Sequence, residues 1–124
     1  MTEAAELRGR TAFHAGASAE MRIALAYQRR GFQLLAQRWR RGGGEIDLIL
    51  RDDERIVFVE VKQSSSFERA AERLTAAQMR RIYAAAEVFL AEEAEGQLID
   101  TRFDVALVDG SGAYRIVENA IVPD

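Results

Sequence analysis

Gly44-Glu45-Ile46-Asp47-Leu48-Ile49-Leu50, followed after Arg51-Asp52-Asp53-Glu54 by Arg55-Ile56-Val57-Phe58-Val59-Glu60-Val61-Lys62, is the stretch on which the fold turns. The first run alternates acidic with aliphatic residues and the second is rich in β-branched ones, so both read as strands. The short polar link between them predicts an antiparallel hairpin. With the turn centred on Asp52 and Asp53, Asp47 falls opposite Phe58 and Glu45 opposite Glu60. Side chains alternate faces along a strand, so Glu45 and Asp47 share a face with Phe58, Glu60 and Lys62. Asp47 and Glu60 then lie on a cross-strand diagonal, their Cα atoms roughly 7–8 Å apart. Ile46, Leu48, Val57, Val59 and Val61 take the opposite face.

Upstream, Phe32 to Trp39 reads as a further strand, broken by Gly42-Gly43-Gly44. Before it, Ala19, Ile23, Ala24, Ala26 and Tyr27 recur at helical spacing over Ser18 to Arg30, with Gly31 as the C-terminal stop. Downstream, Gln63 to Ser66 is a polar loop, and a short helical turn precedes Leu74. Thr75-Ala76-Ala77-Gln78 is a capping box opening a helix to about Glu93, which Met79, Ile82, Tyr83, Ala86, Phe89 and Leu90 bury and Gly96 ends. Phe103 to Val108 and Tyr114 to Val117 are two last strands. The order is helix, three strands, helix, strand: α/β with a mixed sheet. Residues 1–14 lack periodicity and are expected to be a flexible arm, leaving 15–124 as a single domain.

The chain has 124 residues, enough for one self-sufficient core, and no cysteine, which excludes disulfides and thiolate metal sites. No apolar run reaches the ~20 residues that cross a bilayer. A cytoplasmic protein with no membrane partner is expected. The net charge of -3 argues against a nucleic-acid partner until the clustering of Arg29, Arg30, Arg38, Arg40 and Arg41 is seen. Of the 17 basic residues, only Lys62 is a lysine. A chain that uses arginine for every other positive charge keeps an ammonium at one place, which marks Lys62 for chemistry.

Two carboxylates converging beside one amine raise each other's pKa or demand a cation. Oxygen-only ligation suits Mg²⁺ or Mn²⁺ rather than zinc. Such an ion with open water positions is what phosphodiester hydrolysis needs, and a nearby lysine can orient the water or stabilise the transition state. The competing reading is an exposed sheet face carrying a solvated Glu60–Lys62 ion pair.

The two runs, Gly44 to Ile49 and Phe58 to Lys62, resemble the YraN family, bacterial proteins of the PD-(D/E)xK restriction-endonuclease-like superfamily that are similar to archaeal Holliday-junction resolvases. The likeness extends from Gly16 and Glu20 through Gly31 to Arg102-Phe103-Asp104-Val105, roughly residues 14 to 108. It implies a restriction-endonuclease-like αβββαβ core, a mixed central sheet flanked by helices, and metal-dependent endonuclease activity on DNA, structured or branched DNA included. Asp47 and Glu60 would be metal ligands together with the main-chain carbonyl of Val61. Lys62 would be the water-orienting base or charge stabiliser, and Glu20 an accessory carboxylate. DNA is favoured over RNA, and a two-fold homodimer would suit junction cleavage. The sequence departs from the family where Gln63-Ser64-Ser65-Ser66 follows Lys62 and where Gln78 replaces a common lysine. Both changes remove positive charge, which keeps open an alternative, a nucleic-acid-binding module with the nuclease fold but little cleavage. A third reading is a protein-interaction domain that uses the acidic Glu87 to Glu95 helix face.

Weaker features have plain readings beside functional ones. Arg38, Arg40 and Arg41 are the expected nucleic-acid-backbone contacts, with Trp39 as either a stacking platform or a core residue. Gln78 is accounted for by its capping box, with a site role as the alternative, Glu45 is a supporting carboxylate or an edge charge, and Asp104 is structural. The Gly42 to Gly44 run is expected to be a flexible turn that lets substrate approach Asp47. His14 has no role.

Overall fold

In the computed structural model, which describes residues 18–93 and 99–121, a mixed five-stranded sheet is covered by helices on both faces. Helix α1 spans 18–29. Strands β1 (Gln33–Arg41), β2 (Gly44–Arg51) and β3 (Arg55–Gln63) follow, then helices α2 (Phe67–Glu72) and α3 (Ala76–Glu93) and strands β4 (Asp100–Val108) and β5 (Tyr114–Val117). The strands lie in sequence order, with β3 central; β3 and β4 are parallel and every other pair is antiparallel. The crossover from β3 to β4 is made by α2 and α3. The expected arm at residues 1–14 and the stop at Gly96 lie outside the described residues. No helix among the described residues is long and apolar enough to cross a membrane.

Each face of the sheet has its own core. Ile23, Ala24 and Tyr27 of α1 pack with Leu48, Leu50, Val57 and Val59. On the other face Ile82, Ala85, Ala86 and Phe89 of α3 pack with Ile49, Ile56 and Phe58. The exposed-face alternative therefore fails. Ile46 joins the α3 side with Ile49, whereas Leu48 faces α1. Strict alternation would pair Ile46 with Leu48, so β2 is irregular at Asp47. Trp39 packs edge-on against Phe89, ring centroids 5.3 Å apart, and is a core residue rather than a stacking platform.

Helix α1 stops as its glycine predicts. Gly31 sits at φ 94°, its N–H donates to the Gln28 carbonyl at 3.0 Å, and the Phe32 N–H donates to Tyr27 at 3.1 Å. Tyr27 and Phe32 complete this Schellman cap with an edge-to-face contact at 5.4 Å.

The hairpin turn lies one residue later than expected. Asp52 Oδ1 accepts from the N–H groups of Glu54 and Arg55, both at 2.9 Å, which makes Asp53 and Glu54 the central residues. Leu48 then pairs with Val59 and Arg51 with Ile56. Continued outward, that register sets Asp47 directly across from Glu60 instead of on a diagonal. A one-residue move of the turn shifts partners by two, so parity is kept along β3, whereas on β2 the expectation for Ile46 is corrected: it lies on the α3 side with Phe58, not with Leu48.

The glycine run forms the expected turn, and its last member also packs against α3. Gly42 and Gly43, at φ 65° and 81°, form a two-residue turn between the paired Arg41 and Gly44. Gly44 lies against α3 so closely that a Cβ there would be 2.2 Å from the Arg81 carbonyl oxygen. Gly43 has open space around it. Gly44→Ala should therefore cost about 3 kcal/mol of stability by forcing β2 and α3 apart. Gly43→Ala should cost only the left-handed backbone penalty, about 1 kcal/mol. Urea unfolding of both variants checks this, and equal losses would mean that the close approach constrains nothing.

Candidate functional site

Asp47 from β2 and Glu60 and Lys62 from the C-terminal end of β3 meet at the centre of the sheet. In an unbroken antiparallel ladder the Val61 N–H would donate to a carbonyl of β2. Here the β2–β3 pairing ends at Leu48 and Val59, and Asp47 Oδ2 accepts that N–H at 2.8 Å. The Val61 carbonyl, on the same side of its strand as the N–H, faces this interruption. The Asp47 and Glu60 carboxyls share a hydrogen bond.

Glu60 is buried, its side chain 6% exposed. Its Oε1 accepts from Lys62 Nζ at 3.2 Å and from Gln78 Nε2 at 3.0 Å. Lys62 is itself only 17% exposed, so the ion pair is formed but not solvated. Gln78 also fulfils its capping role, its N–H donating to Thr75 Oγ1 at 3.1 Å. The cap explains the Gln78 backbone, and the alternative reading, a place in the site, describes its side chain.

Burial pushes the Glu60 carboxyl up to about 8, and the neighbouring Asp47 adds to the shift against the opposing pull of Lys62. Asp47 is also raised, by burial first and by the charge of Glu20, while the Val61 N–H works in the other direction. Among the described residues no three of His, Cys, Asp and Glu gather into a metal-binding group. The acids available are a pair. A pair of carboxylates fits Mg²⁺ or Mn²⁺, which take few protein oxygens and keep their remaining positions for water and phosphate.

Glu20, on α1, lies near enough for its charge to act on Asp47, yet its Oε2 is 3.1 Å from Arg38 Nε. Arg38 adopts φ 47°, uncommon for a residue with a side chain. Arg40 is 3.4 Å from Glu45, and Arg41 is 3.8 Å from Glu92. The three arginines thus line the β1 edge, each beside a carboxylate, and Glu45 serves as an edge charge. Asp104 lies away from the acid pair in a wholly buried position, where Tyr27, Arg102 and the Asn119 N–H all donate to it.

Residues 19–108, which carry every element from α1 to β4 and all the residues of the acid pair, match the model of the uncharacterised protein family UPF0102. A UPF0102 protein of Ruegeria pomeroyi is 58% identical over 91% of this chain and 92% of its own length. One of Roseobacter denitrificans is 56% identical over 91% of this chain and 88% of its own. A third, from Cereibacter sphaeroides, is 51% identical over 92% and 97%. With its two motifs inside the matched span, the chain belongs to the uncharacterised family UPF0102, the YraN family.

Proposed function

We propose that this protein is a Mg²⁺- or Mn²⁺-dependent nuclease that hydrolyses phosphodiester bonds in DNA, structured or branched DNA included. The observation that carries the reading is the buried acid pair: two carboxyls in hydrogen-bond contact with a single ammonium beside them. Two adjacent buried carboxylates cannot both ionise without a further positive charge.

Asp47 and Glu60 would hold the ion, with the Val61 carbonyl as a third oxygen. When bound, the ion would supply Lewis-acid polarisation of the phosphate and acidify an attacking water. The protein's own groups have separate tasks. The Val61 N–H holds one Asp47 oxygen and so orients the other. Gln78 and Lys62 both donate to Glu60 Oε1, which fixes that carboxyl beside Asp47. Lys62, beside the carboxyls that would hold the ion, would orient water or donate to a phosphate oxygen in the transition state. Arg40 and Arg41, exposed on the turn side of the site, supply backbone contacts.

The acid pair also fixes how the metal-free protein responds to pH. Because the folded state holds the Glu60 proton up to about 8, and the unfolded chain releases it near 4.5, unfolding releases a proton throughout that window. Stability must then fall as pH rises from 4.5 towards 8, and the raised Asp47 acts with the same sign. Thermal melts in chelator should show this slope, and Glu60→Gln should flatten it. A slope unchanged in Glu60→Gln would locate the titration elsewhere.

Calorimetry should detect Mn²⁺ binding that Asp47→Ala and Glu60→Gln each abolish. On linear, flapped and four-way DNA, Mn²⁺ should support cleavage, and Asp47→Ala or Lys62→Ala should lower it on the order of 10²–10³-fold. Equal cleavage by wild type and both variants would assign the activity to a contaminant. Salt-dependent DNA binding with no cleavage in either metal would leave a binding module instead.

A further inference from the structure

A pocket of about 610 Å³ borders the acid pair, between the β1–β2 turn and the first half of α3. Arg40, Arg41, Gly44, Glu45, Gln78 and Arg81 line it. Three guanidiniums thus meet one carboxylate, in a chain whose net charge is -3. The arginines are not committed to structure. The side chains of Arg40 and Arg41 are 76% and 60% exposed and lie 3.4 and 3.8 Å from their acids. Exposed ion pairs of this kind contribute little and exchange readily. Arg81 is exposed and has no carboxylate within ion-pair distance among the described residues. A concave wall carrying such charge concentrates the field on an anion.

The position of the pocket ties it to the chemistry. Gln78 belongs to both, because its amide donates to Glu60 while it lines the cavity. Arg81 lies about 4.5 Å further along α3, at three residues of helical rise. A phosphate held by Arg81 would be within a few nucleotides of the acid pair.

The surroundings say which phosphate. Past the pocket Arg41 meets Glu92, and Glu87, Glu92 and Glu93 are exposed along the second half of α3. A strand passing through would run from guanidiniums onto carboxylates, whereas a strand that ends there would not. A phosphomonoester has a second pKa near ~6 and carries close to two charges at neutral pH, against one for an internal diester. It gains most from three converging arginines, which hold phosphate in forked geometry.

We propose that this pocket binds the terminal phosphate of an unpaired nucleic-acid strand, so that cutting occurs close to a phosphorylated end. The cutting half of this statement rests on the nuclease reading; the binding half does not.

Fluorescence anisotropy in chelator, where nothing is cut, separates the two. The probes are one internally labelled single strand with a 5′-phosphate, a 3′-phosphate or hydroxyls at both ends, and the same sequence closed into a circle. One phosphorylated end should bind at least about tenfold tighter than the hydroxyl-ended strand, equivalent to one decade in Kd. Arg81→Gln should erase that difference and Arg81→Lys should keep part of it, with the circle unaffected by either. Which end is preferred gives the polarity. Equal affinity for phosphorylated and hydroxyl ends overturns the proposal, and so does a circle bound as tightly as the phosphorylated strand. Adding Mn²⁺ to the same strands reads cutting independently: an end-phosphate preference without products would leave the pocket standing and remove the nuclease reading alone.

Discussion

The bond from the Val61 N–H to the Asp47 carboxylate is the constraint on which the rest of the site depends. It substitutes a side-chain acceptor for a strand carbonyl, and so ends the β2–β3 ladder in the middle of the sheet rather than at its rim. A charge-assisted acceptor compensates the amide well, so no buried donor is orphaned by the break. Glu60 and Lys62 project beside it from the central strand, at the carboxyl end of its parallel pairing with β4. The docking of Gly44 on the Arg81 carbonyl then sets how near α3 comes, and Gln78 on that helix is delivered to Glu60.

Most of the fold was legible from periodicity and punctuation. The β-branched run of β3, the Gly31 stop and the Thr75 cap each act through neighbours within a few residues, which is why a sequence displays them. Glu60 and Lys62 were legible for a different reason, the two-residue period that puts them on one face of β3, while the break in alternation at Asp47 had no local signal. The register itself was misplaced because the turn depends on Asp52 folding back on the amides of Glu54 and Arg55, a choice that Asp53 could equally have made. The close packing of Gly44 was not visible because it lies in a contact with Arg81, far away in sequence. Arg81 escaped notice on the same grounds, since nothing local distinguishes it from a solvated helix residue.

Helix α1 is fixed by a second buried polar cluster. Tyr27 donates to Asp104 Oδ2 at 2.6 Å, and Arg102 reaches both oxygens of that acid at 2.9 and 3.0 Å. The Asn119 N–H adds a further donor at 2.9 Å, and Glu118 lies 3.7 Å from Arg102. Tyr27 is two helical turns from Glu20, so this clamp sets where α1 places that carboxylate relative to Asp47.

The two clusters show how differently one chain treats buried acid. At Asp104 a single carboxylate receives a guanidinium, a hydroxyl and an amide, so its charge is matched and its lone pairs are filled. At Asp47 and Glu60 two carboxylates in contact share one ammonium, and the nearby Glu20 is engaged by Arg38. The second charge is met by the proton that Glu60 keeps up to about 8, at the place where the ladder opens. A buried acid left in this state raises its pKa and lowers stability at neutral pH, a loss that a purely structural cluster avoids by adding a base. Arg38, paired with Glu20, lies near enough for the Asp47 charge to act on it. The acid pair therefore meets its burial by holding a proton on Glu60, where Asp104 meets its own with a guanidinium.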